Sequence, residues 1–563
     1  RQARRGRTNA APASTAMAVK SCYYDHLQLF VDSLKPMTHY KAIEARLNKF
    51  AKLAPIAKGA RRHDLAAGRK AWCELGDAAD PTTFQVHGRD LVEQLLFGFG
   101  WRITAEHVGP ETRSVLLSTV DQAGIKFVVT CKADAGAAEA YPAKRAKTCE
   151  EHDHFAAAHL ERFHDYHNGA QGVGVLGFEL SAGELDGVAQ RYSELHPKLL
   201  VAPAPHAYAG GVRVLDVFAY YRGEKGVTDA DPGTIIRFVE RPPTLSDGST
   251  PAPGLTVPLP GLVAVPAEFD SGGVLPAYAD HWVSNVRSRV GFLQTLHETL
   301  GFTPKVDFNA GVVAAGEAQI ESTVMGNASA LVTTDPHQAL VDRGQVFLPT
   351  NNALSPVGHV HWYLEELGQG IQHVASRVSS LPDYVQRAND YRAMTGEGFT
   401  FLNIPRTYYG LLEPPLLMRG GTERGELLGE CAAADCPAED EAAEVIAALV
   451  RAGLCDATGA VELEADAPAF AAALAQHSRV YRDAPAAVRA MLVRVVCRSR
   501  YVNLWRLMRD QLPEATYLTV VRNKILIDVQ AAARVETPHP TTAPTPFLPS
   551  PRGPSAGRGR ADA

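Results

Sequence analysis

Two histidines in the second half of the sequence, His281 and His373, are of the residue type that most often binds transition metals. Each lies in a short apolar stretch typical of a β-strand, AYADHWVSNV (277–286) and GIQHVASRV (370–378). Two strand histidines and one carboxylate form the facial triad that suits non-haem Fe(II), which keeps positions open for a substrate and O2. A buried histidine that only packs in the core is the competing interpretation.

One pattern of strands and helices occurs twice along the 563-residue chain, on either side of a Pro/Gly-rich stretch at 242–261. In each half an Asp-His strand leads into a helix, and a glycine-opened strand followed by a helix and another strand comes later. Strands of period 2 that alternate with single helices, repeated in both halves, predict an α+β fold. We expect two halves, each built from paired βαβββ modules.

Alignment of the two halves separates the core interpretation from the metal interpretation. His281 matches His26, whereas His373 matches Val175. A histidine needed only for packing gives no reason for this difference, but a metal site built in one half does. The comparison therefore favours metal binding by His281 and His373, and no metal in the first half.

Changes in composition along the chain predict its organisation. A stretch from about 414 to 520 is Ala-rich, acidic and helix-favouring, which indicates a helical insertion in the second half. The two ends are rich in Ala, Arg and, at the C-terminus, Pro, as expected of disordered segments. The predicted parts are a disordered or targeting tail (1–20), an N-terminal domain without metal (21–248), a Pro/Gly-rich linker (249–275), a C-terminal metal-binding domain that contains the insertion (276–530), and a disordered tail (531–563).

Bulk composition excludes several classes of protein. The net charge of −6 includes no extended basic stripe, so nucleic acid is not an expected partner. No apolar run reaches the roughly 18 residues that a membrane span requires. The eight cysteines form no CxxC pair and favour a reducing compartment. We expect a cytoplasmic protein, with a plastid or another organelle as the alternative because the N-terminus is basic and contains Ala, Ser and Thr.

The second half resembles the 4-hydroxyphenylpyruvate dioxygenase family, which consists of two-module vicinal-oxygen-chelate proteins. The first half supports the resemblance more weakly. The stretches that carry it are ADHWVSN (279–285), IESTVMGN (320–327), FLPTNNA (347–353), GQGIQHVASRV (368–378), TGEGFTFLNIPRTYYGLL (395–412) and KILIDVQ (524–530), together with HNGAQGVGVLGFEL (167–180) and IKFVVTC (125–131) in the first half.

The resemblance implies Fe(II) held by His281, His373 and a Glu of the final strand. It also implies O2 and a 2-oxo acid, 4-hydroxyphenylpyruvate, which binds iron through its carboxylate and keto oxygens and is converted to homogentisate. A sister activity that gives hydroxymandelate needs only altered pocket contacts. The resemblance is compatible with a homo-oligomer, although no sequence pattern marks an interface.

Ser322, Asn351 and Gln372 match positions that line the substrate site in the family. Each of them could instead be a polar group at a strand end that satisfies the backbone. Gln372 directly precedes His373, so alternation along the strand directs its side chain to the other face or sideways into the pocket.

The sequence departs from the family where the third ligand is expected. After KILIDVQ, Pro549 stands at the position of the Glu, and proline neither binds a metal nor fits a central strand. Three explanations stay open. In the first, the C-terminal end of this sequence departs from that of the natural protein. In the second, His359 or His361, taken as neighbours on one strand face, replaces the Glu. The third is a two-histidine site with little iron affinity in a non-catalytic binding or structural protein.

Overall fold

The computed structural model describes residues 19, 21–53, 64–75, 90–119, 121, 123–133, 156–208, 211–223, 229–242, 261–269, 275–308, 314–315, 318–327, 333–399, 401, 404–418, 437–508 and 512–526. The predicted tails lie outside these ranges except for Val19. So does the segment after 526, which contains Pro549.

The first half forms a nine-stranded sheet. Its strands are β1 (Cys22–Phe30), β2 (Arg102–Val108), β3 (Thr112–Ser118), β4 (Lys126–Lys132), β5 (Gly172–Leu180), β6 (His206–Ala207), β7 (Arg213–Phe218), β8 (Ile235–Glu240) and β9 (Val263–Ala264). They are arranged in the order β6-β7-β8-β5-β1-β4-β3-β2-β9. Since β9 lies within 249–275, part of the predicted linker adds a short strand to the edge of this sheet.

Five helices accompany the first sheet in the described residues: α1 (Met37–Leu53), α2 (Leu65–Glu74), α3 (Leu91–Phe99), α4 (156–166) and α5 (Leu185–Leu195). Local signals define α3 at both ends. At its start the Asp90 side chain accepts from the backbone of Glu93 while the Glu93 side chain accepts from the backbone of Asp90. At its end Gly100 adopts φ 73°, a left-handed conformation that favours glycine.

The second half forms a six-stranded sheet of the same design. Its strands are β10 (Tyr278–Asn285), β11 (Thr303–Phe308), β12 (Ala314–Ala315), β13 (Ala318–Gly326), β14 (Phe347–Ala353) and β15 (Gly370–Arg377). The short β12 pairs with β13, and the order of the other five, β11-β13-β14-β10-β15, corresponds to β2-β3-β4-β1-β5 of the first sheet. Both sheets mix parallel and antiparallel pairs, so the predicted α+β class is confirmed.

The two sheets differ at one edge. In the first sheet β8 pairs in parallel with the outer side of β5. In the second sheet β15 is the last strand, and no described residue pairs with its outer edge. A counterpart of β8 is therefore missing from the part of the second half that the structure describes.

An aromatic cluster joins the two halves. The Trp282 ring of β10 lies 4.6 Å from the Tyr24 ring and 5.2 Å from the Phe178 ring, measured between centroids. Next to this cluster the Tyr220 hydroxyl donates to Ser284 Oγ over 2.7 Å. Because Trp282 and Ser284 alternate with His281 and Val283, one face of the second sheet packs on the first half and the histidines lie on the other face.

Helices make up most of the remainder of the second half: α6 (Arg289–Leu300), α7 (Pro336–Val341), α8 (His359–Glu366), α9 (Leu381–Thr395), α10 (Arg406–Tyr409), α11 (Pro414–Leu417), α12 (Glu439–Arg451), α13 (Ala467–His477), α14 (Arg479–Asp483), α15 (Ala486–Ser499), α16 (Val502–Met508) and α17 (Glu514–Arg522). From α10 onward they surround a hydrophobic core separate from that of the sheets, with Leu449, Phe470 and Leu492 fully buried. The predicted insertion at 414–520 falls within this helical region. None of the described helices has both the length and the apolar character that crossing a membrane requires.

Candidate metal centre

His281 and His373 lie beside each other on neighbouring strands. β10 and β15 pair antiparallel, with His281 opposite Ala375 and Val283 opposite His373. The two imidazole rings have their centroids 5.6 Å apart and their planes at 77°. Two histidines separated by 92 positions in the sequence are thus close enough for both rings to contact one ion.

A β-bulge precedes each histidine. The register skips Asp280 on β10 and Gln372 on β15, so neither residue has a partner on the opposite strand. The His281 Nδ1 atom lies 2.6 Å from Asp280 Oδ2, and the His373 Nδ1 atom lies 2.8 Å from Gln372 Oε1. Because both oxygens are acceptors, each Nδ1 donates its proton and each Nε2 keeps a lone pair for a metal.

The first half has the same bulges without the second histidine. The register skips Asp25 on β1 and Gly174 on β5, and the His26 Nδ1 atom lies 2.7 Å from Asp25 Oδ2. Val175 pairs with Gln28 as His373 pairs with Val283, so it occupies the position that the sequence alignment predicts. Gln372 and His373 are therefore the pair of side chains that the second half adds to a shared scaffold.

The protonation of His373 suits a metal ligand. Desolvation by the surrounding protein, and then the neighbouring His281 ring, lower the pKa of His373 to about 4. His373 is nevertheless an exposed residue of the folded chain, within reach of an ion from solvent. At neutral pH the imidazole is therefore neutral, which is the form that binds metals.

A row of polar side chains crosses the same face of the second sheet. Ser322 of β13 pairs with Asn351 of β14, which pairs with Asn285 of β10. All three are buried, and Asn351 Nδ2 donates to Asn285 Oδ1 over 3.3 Å. Asn285 Nδ2 is buried and finds no hydrogen-bond partner in the part of the chain that the structure describes, so it is a donor that a ligand could satisfy.

Asn285 is a residue that the sequence reasoning missed. It lies four residues after His281 on β10, which puts its side chain on the face of the histidines at a distance of about 13 Å along the strand. Strand alternation within ADHWVSN is the signal that could have identified it. Val283 lies between them on the same face and provides an apolar surface.

His359 and His361 do not share a strand face, and that prediction is wrong. Both belong to α8, where residues two positions apart point in directions about 200° apart. The buried residues of α8 are Val360 and Leu364, which are four positions apart, as expected for one face of a helix.

The described residues supply two ligands and no third. No group of three or more His, Cys, Asp or Glu side chains within them is arranged to hold a metal ion. The first half indicates where a third ligand would lie, since β8 places Arg237 opposite Gly177, the equivalent of Ala375. A strand on the open edge of β15 would place a side chain beside His281 in the same way. The donors present fit Fe(II), but they do not complete its site.

Comparisons with known proteins give distant structural likenesses. No family model matches the chain, and no curated protein matches it. A triple mutant of 4-hydroxymandelate synthase from Streptomyces coelicolor is 17% identical over 56% of this chain and 73% of that chain, with a TM-score of 0.35. A fusion of a xylose isomerase-like TIM barrel with 4-hydroxyphenylpyruvate dioxygenase is 14% identical over 71% of this chain and 42% of that chain, with a TM-score of 0.34. A mutant of homoprotocatechuate 2,3-dioxygenase from Brevibacterium fuscum is 11% identical over 68% and 65%, with a TM-score of 0.29.

Proposed function

We propose that this chain is a non-haem Fe(II)-dependent dioxygenase of the vicinal-oxygen-chelate type that converts 4-hydroxyphenylpyruvate to homogentisate. The observation that carries the proposal is the pair of bulges that position His281 and His373. Both Nδ1 atoms are held by an acceptor, and within the described part of the chain neither Nε2 atom is used in a hydrogen bond.

The residues around the histidines suit a 2-oxo acid with an aromatic ring. His281 and His373 would hold Fe(II), which would supply the O2 chemistry needed for oxidative decarboxylation of a 2-oxo acid and hydroxylation of its ring. Asp280 and Gln372 fix the two imidazole rings in the required tautomer. The apolar Val283 surface would contact the aromatic ring.

The row formed by Ser322, Asn351 and Asn285 would position the far end of the substrate. A phenolic hydroxyl both donates and accepts a hydrogen bond, and this row offers hydroxyl, carbonyl and amide groups. The buried Nδ2 of Asn285 has no hydrogen-bond partner among the described residues, so a hydrogen bond to the substrate would remove the cost of that unsatisfied donor.

Oxygen uptake with 4-hydroxyphenylpyruvate and Fe(II) tests the proposal. We expect uptake by the full chain, one CO2 released per O2 consumed, and loss of turnover in His373→Ala. His337→Ala is the control, because His337 is an exposed histidine of α7 whose backbone N–H donates to Asp335. Activity that survives His373→Ala would contradict the proposal. Separation of the product by mass and retention time distinguishes homogentisate from hydroxymandelate.

A non-catalytic binding protein is the second candidate. It is favoured by the open edge of β15 and by the lack of a third ligand within the described ranges. Titration calorimetry with Co(II), a redox-stable substitute for Fe(II), separates the two candidates. Tight binding of one ion per chain supports the enzyme, and no measurable binding supports the second candidate.

A further inference from the structure

A pocket of about 540 Å³ lies where the two halves meet, beyond the end of β10. It is large enough for a small metabolite. Its walls come from α4 and two loops of the first half and from the segment after β10 in the second half. The lining residues are Arg162, Asp165, Tyr166, Arg222, Pro232 and Arg287.

The charge of this lining is positive. Three arginines and one carboxylate, that of Asp165, line the pocket, so the net lining charge is about +2. The carboxylates of Glu365 and Asp231 lie next to it, beside Arg287 and Tyr166. Arginine recognises phosphate and carboxylate groups because its planar fork can donate two parallel hydrogen bonds. A concave site with this charge selects an anion that carries more than one negative charge.

Two of the arginines are held in place by the protein. Arg287 Nη2 donates to the carbonyl of Leu364 over 2.9 Å, and its Nη1 lies 3.3 Å from the exposed Glu365 carboxylate. Arg162 donates to His159 through Nη2, while its Nε is buried and has no hydrogen-bond partner among the residues described. Arg162 thus retains a donor that the described residues do not use, and a bound anion could compete with Glu365 for Arg287.

The pocket wall is part of a buried network that leads to β15. Tyr166 donates its hydroxyl proton to Asp231 Oδ2, and Gln369 Nε2 donates to the same oxygen over 2.7 Å. Gln369 is 1% exposed, and its Oε1 accepts from the backbone N–H of Arg287 over 2.8 Å. The Gln369 side chain therefore connects Asp231 of the first half with the backbone of Arg287 in the second half. Gln369 itself directly precedes β15.

The turn before β15 is fitted to Tyr166. Gly368 adopts φ +82°, and a Cβ there would come within 2.6 Å of the Tyr166 ring. A larger residue at this position would strain the backbone and collide with the pocket wall. The Tyr166 ring thus packs directly against the turn that leads into β15, the strand that carries His373.

We propose that this pocket is a binding site for a small, multiply charged oxyanion, either a phosphate ester or a polycarboxylate, and that occupancy stabilises the junction between the two halves. Neither His281 nor His373 lines this pocket. Anion binding here is therefore a prediction independent of the proposed dioxygenase activity. Its ligand bridges Arg162 and Arg222 of the first half and Arg287 of the second.

Inorganic phosphate and citrate are the probes, with NaCl at equal ionic strength as the reference. Titration calorimetry and thermal unfolding are measured on the full chain without added metal or substrate. We expect phosphate, citrate or both to bind and to raise the melting temperature above the NaCl value. The tighter of the two probes then identifies the phosphate or the carboxylate class.

Three variants test the location of the site. Arg222→Gln removes an exposed guanidinium and should weaken binding about tenfold. Asp165→Asn removes the carboxylate of the lining and should tighten binding, a gain that a folding defect cannot mimic. Arg489→Gln, on the exposed side of α15, should bind as the wild type does. Absence of binding by both probes, or equal affinities in all three variants, would overturn the proposal.

Discussion

Gln372 and His373 are consecutive residues of β15, yet their side chains meet on the same face of the sheet. The Gln372 Oε1 atom lies 2.8 Å from His373 Nδ1, because the β-bulge leaves Gln372 unpaired between two residues that have partners on β10. Asp280 and His281 are related in the same way on β10. The bulges therefore provide the acceptors that orient both imidazole rings.

Replacement of Gln372 by Ala should weaken metal binding without removing a ligand. We expect the affinity for Co(II) to fall 10- to 100-fold, because His373 loses the acceptor that fixes its tautomer and ring orientation. The measurement is titration calorimetry, with Gln294→Ala as control because Gln294 is an exposed residue of α6 that bonds only Glu298 at the helix surface. Equal affinities of the two variants would argue against the orienting role.

The substitution His373→Val copies the first half, where Val175 holds the equivalent position. Metal binding should fall more than 100-fold, since one of two located ligands is removed. The melting temperature should change by no more than a few degrees, because His373 is exposed and its strand tolerates a β-branched residue. Circular dichroism melting together with Co(II) titration checks both expectations, and a cooperative loss of folding would refute them.

Adjacent asparagines on β14 give a matched pair for the substrate site. Asn351 faces the histidines, and Asn352 faces the opposite side because neighbouring residues alternate along a strand. If the proposed function holds, Asn351→Ala should raise KM for 4-hydroxyphenylpyruvate roughly 3- to 10-fold through the loss of one hydrogen bond. Asn352→Ala should leave KM near the wild-type value. The reverse order in steady-state kinetics would show that the substrate is bound elsewhere.

Periodicity in the sequence was sufficient to predict the α+β class and the relation between His373 and Val175. The direction of Gln372 was not predictable, because a bulge depends on the hydrogen bonds of the partner strand and not on the local sequence. The strand predicted for His359 and His361 was wrong for a different reason, because a short apolar run does not distinguish a strand from a helix. The arginine pocket could not be predicted from the sequence either, because its residues come from segments that meet only in the folded chain.

A substitution in the core of the helical region should destabilise that region without affecting the metal site. Leu449 is fully buried in the core of this region, so Leu449→Ala should cost about 2–5 kcal/mol of its unfolding free energy. Co(II) binding at the histidines should stay within twofold of the wild type, because no described residue of this core touches His281 or His373. Calorimetric unfolding and Co(II) titration of the same preparation test the separation. A parallel loss of both would show that the cores are coupled.

The interior of the first half should make the protein sensitive to acid through Asp216. This buried carboxylate on β7 accepts from Arg237 Nε and Nη2 over 2.9 and 3.0 Å and lies 3.0 Å from His159 Nε2. Burial by itself raises the pKa of Asp216, but Arg237 and His159 outweigh it and hold the pKa well below its usual range.

The sign of the effect follows from the lowered pKa in the folded state. The ionised Asp216 stabilises the fold fully above the unfolded pKa of about 4, and this contribution is lost as the pH falls toward the lower folded pKa. Asp216→Asn should therefore cost about 3–5 kcal/mol at pH 7 and progressively less below pH 4. Asp229→Asn is the control, because Asp229 forms an exposed ion pair with Lys198 that contributes at most about 1 kcal/mol. Urea unfolding of both variants between pH 3 and 7 measures the difference, and a cost for Asp216→Asn that does not change with pH would contradict the assignment.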